Sequence, residues 1–232
     1  MSNYTKTMIC LATSKKDGGR CVAGKSADHG QWIRPVSPRA TAEISLEERR
    51  YQDGSEPRLL DVIQIPMMAP VPRGHQTENH LIDGQEYWSK NGSATWADLL
   101  PLLDKPATLW ANESSSTAGT NDRITPATAA TLTNSLWLIK PQKLTIQVCA
   151  PGVAFGNPKR KVRASFQYNG TCYDFSVTDL GVEADFLARP DGDYKIDQEV
   201  YLCASLGEAH TDPHGNTFCY KLVAAIFSQQ PL

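Results

Sequence analysis

The run RKVRASFQYNGTCYDFSVTD, from Arg160 to Asp179, restricts the fold of this chain more than any other stretch. Asn169-Gly170 supplies the two positive-φ residues of a type I′ hairpin turn, and the residues on either side alternate apolar and polar. A two-residue loop sets Tyr168 opposite Thr171, and the strand period then fixes every later pair. Val162, Ala164 and Phe166 face Val177, Phe175 and Tyr173 on one side, while Lys161, Arg163, Ser165 and Gln167 face Thr178, Ser176, Asp174 and Cys172 on the other. The first side reads as core and the second as a wet, partly cationic face. Because the aromatics fall on the core side, the outer face suits a phosphate backbone better than it suits base stacking.

With 232 residues, 41% of them hydrophobic, the chain has enough apolar material for two small cores. No apolar run approaches the roughly 18 residues of a spanning helix, and Met8 to Ala12 is one short strand rather than a signal peptide. The expectation is a cytoplasmic protein with no membrane partner. Cysteines 10, 21, 149, 172, 203 and 219 form no C-x-x-C pair and sit in apolar or strand-like contexts, which reads as reduced, buried thiols and no metal site. His210 and His214 are spaced i, i+4, but Thr-Asp-Pro between them and Gly215 after them favour a loop. Asp191-Gly-Asp193 lacks the distal Glu of a calcium loop, and Gly18-Gly19-Arg20 precedes a strand, so neither a metal nor a phosphate-cradling loop is expected and no cofactor is implied.

The net charge of −2 is no signature of a bulk polyanion binder, yet the charges are sorted. Residues 1–40 carry seven Lys/Arg against two Asp/Glu, residues 140–165 carry six against none, and residues 174–212 carry two against ten. Such sorting produces a basic surface for nucleic acid and an acidic one facing elsewhere, or else a set of ordinary solvated loops.

Read from the start, Met8–Ala12, Arg20–Gly24 and Gln31–Val36 form a meander, with Gly24 set opposite Gln31, Ala23 opposite Trp32 and Cys21 opposite Arg34. Ser45-Leu-Glu-Glu48 has the spacing of a capping box and predicts a short helix to about Tyr51. LLDVIQIP, from Leu59 to Pro66, is a buried strand, and Trp96 to Leu103 is a short helix weakened by Pro101. NESSSTAGTNDRIT, from Asn112 to Thr125, is polar and aperiodic and reads as a mobile loop or linker. Strands follow at Ser135–Ile139 and Leu144–Val148, then the hairpin, a helix over Leu180–Leu187, and strands at Val200–Ser205 and Phe218–Phe227 around a turn-rich 210–216 loop. Five strands with a helix after the third is the OB-fold count. The fold class expected is mainly β: two tandem OB-like small β-barrels with a few short helices, at 1–111 and 135–232, joined by 112–134.

The blocks GGRCVAG, GQWIRPVS, LLDVIQIP with GHQTENHLID, RKVRASFQYNGTCYDFSVTD, ASLGE and CYKLVAAIF resemble, in that order, the dual OB-fold domain proteins of bacteria. The resemblance spans nearly the whole chain. It implies two OB domains in tandem and a nucleic-acid-binding role, in a family associated with bacterial conflict or anti-phage systems, and it transfers no catalytic residues.

The candidate contacts follow from residue chemistry. Arg20, Lys25, Trp32 and Arg34 share one hairpin, where an indole beside cations can stack a base and hold its phosphate, or simply pack in a core. Lys159, Arg160, Lys161 and Arg163 form the densest basic cluster, and Gly156-Asn-Pro158 is a turn that sets Lys159 and Arg160 at a barrel rim. His75, Glu78 and Asn79, within GHQTENH, make a polar group able to read a base edge, or to tie a loop down. The leading function is a non-enzymatic module for single-stranded or structured DNA or RNA, acting as an accessory or sensor in defence. The alternatives are an adaptor that docks a partner effector protein, and an enzyme acting on nucleic acid or nucleotides through His75.

Overall fold

The first strand, β1 (Tyr4–Lys16), is long enough to pair with two partners in succession, and this sets the topology of the N-terminal half. The computed structural model describes residues 3–16, 18–153, 156–212 and 215–232. The beginning of β1 runs antiparallel to β4 (Asp61–Pro70), and from Ile9 onward it runs antiparallel to β2 (Gly19–Lys25). A bulge between Cys10 and Ala12 interrupts the second pairing. Close by, Gly24 passes so near β1 that a Cβ there would lie 2.1 Å from the Ile9 carbonyl oxygen. β3 (Trp32–Val36) pairs with β2, while β5 (Asn79–Ile82) lies parallel to β3 and antiparallel to β4. The pairings thus close into a circuit, β1-β2-β3-β5-β4-β1, with β6 (Ser89–Ser93) added on β4. The parallel contact between third and fifth strands is the OB arrangement. Met8, Cys10, Val22, Ile33, Ile63, Ile65, Met67 and Ile82 alternate along these strands into one core.

The short helix α1 (Leu46–Arg49) is held at its start by the capping box, Ser45 and Glu48 each bonding the other's backbone N–H. α2 (Trp96–Leu99) tightens at once into a 3-10 turn over Leu100–Leu102, since Pro101 has no N–H for a longer helix. Two expectations are corrected here. The β2–β3 loop is six residues, 26–31, so Gly24 faces Ile33 and Lys25 faces Trp32, a slip of two that keeps the faces and changes the pairs. The thiols also differ: Cys10, Cys203 and Cys219 are buried, but Cys21 and Cys149 are half-buried and Cys172 is exposed.

The chain divides at Leu102/Leu103 into two compact units, Met1–Leu102 and Leu103–Leu232. Residues 112–134, expected as a linker, therefore lie within the second unit. They contain β7 (Arg123–Ile124), paired antiparallel with β14 (Thr217–Ser228), and the single-turn helix α3 (Pro126–Ala129) with Thr125 as its cap. Leu109, Trp110, Ile124 and Ala129 are part of the second unit's core.

That unit repeats the topology of the first. β9 (Gln142–Cys149), β10 (Lys161–Tyr168) and β11 (Thr171–Val177) form a meander; α4 (Leu180–Leu187) follows; β13 (Val200–Thr211) and β14 form a long hairpin. β11 and β14 meet in parallel at Ser176–Leu222 and Val177–Val223. β8 (Leu136–Ile139), which pairs with β13, is separated from β9 only by Lys140-Pro141. These two consecutive strands stand at or next to opposite ends of the sheet, whose order is β12-β9-β10-β11-β14-β13-β8, with β12 (Gly192–Lys195) on β9. The Asn169-Gly170 turn forms with φ of 47° and 79°, and the observed pairs run from Arg163–Ser176 to Tyr168–Thr171 as the two-residue loop dictates. The final hairpin is longer than expected, since β13 extends to Thr211 and takes in His210, while His214 lies outside the described residues. Among the described residues no helix is long and apolar enough to cross a membrane.

Candidate nucleic-acid interface

In the first unit the parallel pairing of β3 with β5 brings together residues that are distant in sequence. Arg34 stands in register with Asn79, its backbone N–H bonds the Glu78 carbonyl at 2.9 Å, and its guanidinium reaches Glu78 Oε1 at 3.4 Å. Gly74, at φ 56°, lets the chain double back so that Arg73 and Gln76 exchange two backbone hydrogen bonds. That tight turn folds His75, Gln76, Glu78 and Asn79 inward, and all four are buried with Arg34. Asn79 Nδ2 donates to Gln76 Oε1 at 3.3 Å, whereas Asn79 Oδ1 and Arg34 Nε have no hydrogen-bond partner among the described residues. The polar motif and the hairpin arginine are therefore one enclosed cluster tying the loop to the sheet.

Lys25 is also buried. Its Nζ donates to the Leu102 carbonyl at 2.7 Å and lies 5.1 Å from the centre of the Trp32 ring, an aromatic face that compensates part of the lost hydration. Trp32 and Arg20 remain half-buried, with Arg20 at the mouth of β2 beside the exposed Lys15. Of the four cationic and aromatic candidates in this hairpin, Arg20 and Trp32 keep surface.

In the second unit the basic cluster separates into two pairs. Arg163 is 5% exposed: Nε donates to Asp174 Oδ1 at 2.6 Å, Nη1 to Ser176 Oγ at 2.9 Å, and Nη2 to the Asp174 carbonyl at 2.7 Å, with Asp122 Oδ2 at 3.4 Å. Burial pushes the Asp174 carboxyl above its usual range, and the adjacent guanidinium pulls it the other way. Arg160 donates to the Asp191 carboxylate at 2.6 Å and to the carbonyls of Leu187 and Arg189 at 2.8 and 2.5 Å, closing the C-terminal end of α4. Lys159 and Lys161 are exposed, and the ion pairs of this stretch belong to Arg160 and Arg163.

The outer face of β11 is covered where the segment before β7 crosses it. Thr120 and Asp174 exchange backbone hydrogen bonds, Asn121 Nδ2 donates to the Cys172 carbonyl, and Ser116 bonds Asp122 through both its N–H and its hydroxyl. What remains open is a cleft of about 480 Å³ between this segment and the β13–β14 hairpin, with Lys161 and Pro151 in its lining together with His210 and Tyr220. Arg123 lies 4.0 Å from the centre of the Phe218 ring, Phe218 packs edge-on to Tyr220, and Tyr220 packs edge-on to His210. The row is not evident from the expected strands, because the first of the pair is expected to end at Ser205 whereas β13 continues to Thr211 and carries His210 beside Tyr220. The alternation of His210, Phe218 and Tyr220 about Asp212–Asn216 was the available signal.

Among the described residues no group of three or more His, Cys, Asp or Glu is placed to hold a metal ion. The family model for the dual OB-containing domain matches residues 6–226 of the chain. No curated protein and no solved structure matches it.

Proposed function

Because the chain belongs to the dual OB-containing domain family, we propose that it is a nucleic-acid-binding module whose second unit makes the main backbone contacts. The observation that carries this reading is the exposure of Lys159 and Lys161 at the entry to β10, with Lys161 lining the same cleft as His210 and Tyr220 of the aromatic hairpin row. Exposed ammonium groups on flexible stems neutralise phosphates and release their counterions, while aromatic rings stack bases without regard to sequence. Arg163 holds the face together instead of reaching out from it. On the first unit Arg20 and Trp32 keep surface at opposite ends of β2 and are separate candidate contacts, whereas His75, Glu78 and Asn79 act as an internal tie. The resemblance to conflict-associated proteins supports an accessory or sensor role for such binding in defence.

The test is anisotropy of labelled single-stranded DNA, RNA and duplex with the full chain at two salt concentrations. Binding that weakens as salt rises is the expected result. Absence of binding at low salt, with one protein co-purifying in a salt-insensitive manner, would replace this reading with the partner-effector adaptor.

A further inference from the structure

We infer that the cleft beside the β13–β14 hairpin seats a single nucleotide, with its phosphate toward Lys161 and its base against Tyr220 and His210, and that it favours bases bearing an exocyclic amino group. The inference rests on the nucleic-acid reading above and specifies what part of the polymer the second unit grips. At about 480 Å³ the cleft falls within the size range of small-ligand sites.

Its lining is chemically polarised. The strand β10 side brings the exposed ammonium of Lys161, with Arg163 already neutralised below it by Asp174 and Asp122. The hairpin side brings rings and carboxylates: Tyr220 and His210 lie with centroids 6.3 Å apart, and Glu208 and Asp212 line the same end. Asp212 Oδ1 accepts the Asn216 N–H at 2.9 Å, which fixes its carboxylate in the turn. Carboxylates repel a phosphate and accept hydrogen bonds from amino groups, so they orient a nucleotide base-first toward the hairpin. Cytosine, adenine and guanine carry an exocyclic amino donor; uracil and thymine do not.

An irregularity of the hairpin supports the same site. The register steps from Leu206–Lys221 to Ala209–Cys219, which leaves Gly207 and Glu208 as a bulge opposite Tyr220. A bulge turns side chains out of the regular alternation, and here it directs the hairpin's polar groups at the cleft. A Cβ on Gly207 would come 3.4 Å from the Tyr220 carbonyl oxygen, so the backbones are close at this point.

Calorimetry of the full chain with CMP, AMP and UMP, beside anisotropy with a labelled oligonucleotide, tests the proposal. CMP and AMP are expected to bind several-fold more tightly than UMP. His210→Ala and Tyr220→Ala should each weaken CMP about tenfold, a typical loss for one stacking ring, while Tyr220→Phe retains it. Lys161→Ala should bring CMP down toward the affinity of cytidine. Equal affinity for the three nucleotides, or unchanged oligonucleotide and CMP binding in His210→Ala and folded Tyr220→Ala, overturns the inference and leaves the nucleic-acid reading intact. Absence of binding by both nucleotide and oligonucleotide at low salt overturns both. Nucleotide binding without oligonucleotide binding keeps the cleft and removes the polymer reading.

Discussion

Lys221 shows how single buried cations organise this protein. It is 1% exposed, its Nζ donates to the Ala111 carbonyl at 2.7 Å, and the rings of Tyr173 and Phe175 lie 5.7 and 5.9 Å away. Lys25 does the same in the first unit with the Leu102 carbonyl and Trp32. Each lysine fastens a segment remote in sequence, at the cost of burying its charge. Burial pushes the Lys221 ammonium down to about 8 from 10.5, against the pull of Asp122 and Glu113. Between those values the unfolded chain holds a proton that the folded chain releases, so this lysine makes stability rise with pH across about 8 to 10.5 and withdraws that contribution as pH falls through 8. Buried Cys10 and Cys219, whose thiols are pushed up, act in the opposite direction in the same range. The contribution is therefore isolated by difference: Lys221→Met should lose the upward pH component of the wild type in urea denaturation at pH 7.5 and 10, and identical pH slopes would contradict the assignment. None of this was legible from the sequence, where Lys221 is one polar residue in an apolar strand and Arg163 one of a basic cluster. Burial of both depends on residues 110 and 41 positions away.

At the scale of elements, legibility followed the distance over which the pairing information acts. The β10–β11 register could be counted from Asn169-Gly170 because a two-residue turn leaves no freedom. The β2–β3 register could not, since Ser26 to Gln31 closes through a backbone bond from Ser26 N–H to the Gln31 carbonyl and has no short-turn signature. The 114–124 segment was the least legible. Its polar, aperiodic composition matches a linker, yet its hydrogen bonds go to β11 and β14, about 50 and 100 residues downstream. Gly119 permits the crossing: a Cβ there would lie 1.9 Å from Asp122 Oδ2 and 2.5 Å from Arg163 Nη2. Gly119→Ala should therefore displace Asp122 from Arg163 and cost about 1–3 kcal/mol, the usual range for overpacking, measured as a lowered denaturation midpoint. A neutral Gly119→Ala would mean that the segment is not anchored through this contact.

For the whole molecule, two OB-like units each have their own core, the strands of the first closing through the β1–β4 pairing and those of the second forming one sheet, and the second unit begins at Leu103. A fragment of residues 103–232 is accordingly expected to unfold cooperatively, whereas one beginning at Ser135 lacks β7, the Ala111 carbonyl that receives Lys221, and the Asp122 that faces Arg163. Circular dichroism melts of the two fragments check this, and a cooperative transition in the shorter one would show those pieces to be dispensable. The OB plan was legible because five strands and a well-placed helix are local signals; the division of cationic residues between anchors and surface was not, because it depends on the packed fold. The central claim is that Lys159 and Lys161 present the second unit to phosphates. The most direct measurement is the salt dependence of single-strand binding by the full chain and by a Lys159→Ala, Lys161→Ala double variant. The log–log slope should become shallower by about 0.7 for each lost phosphate contact, together with weaker binding; an unchanged slope would contradict the claim.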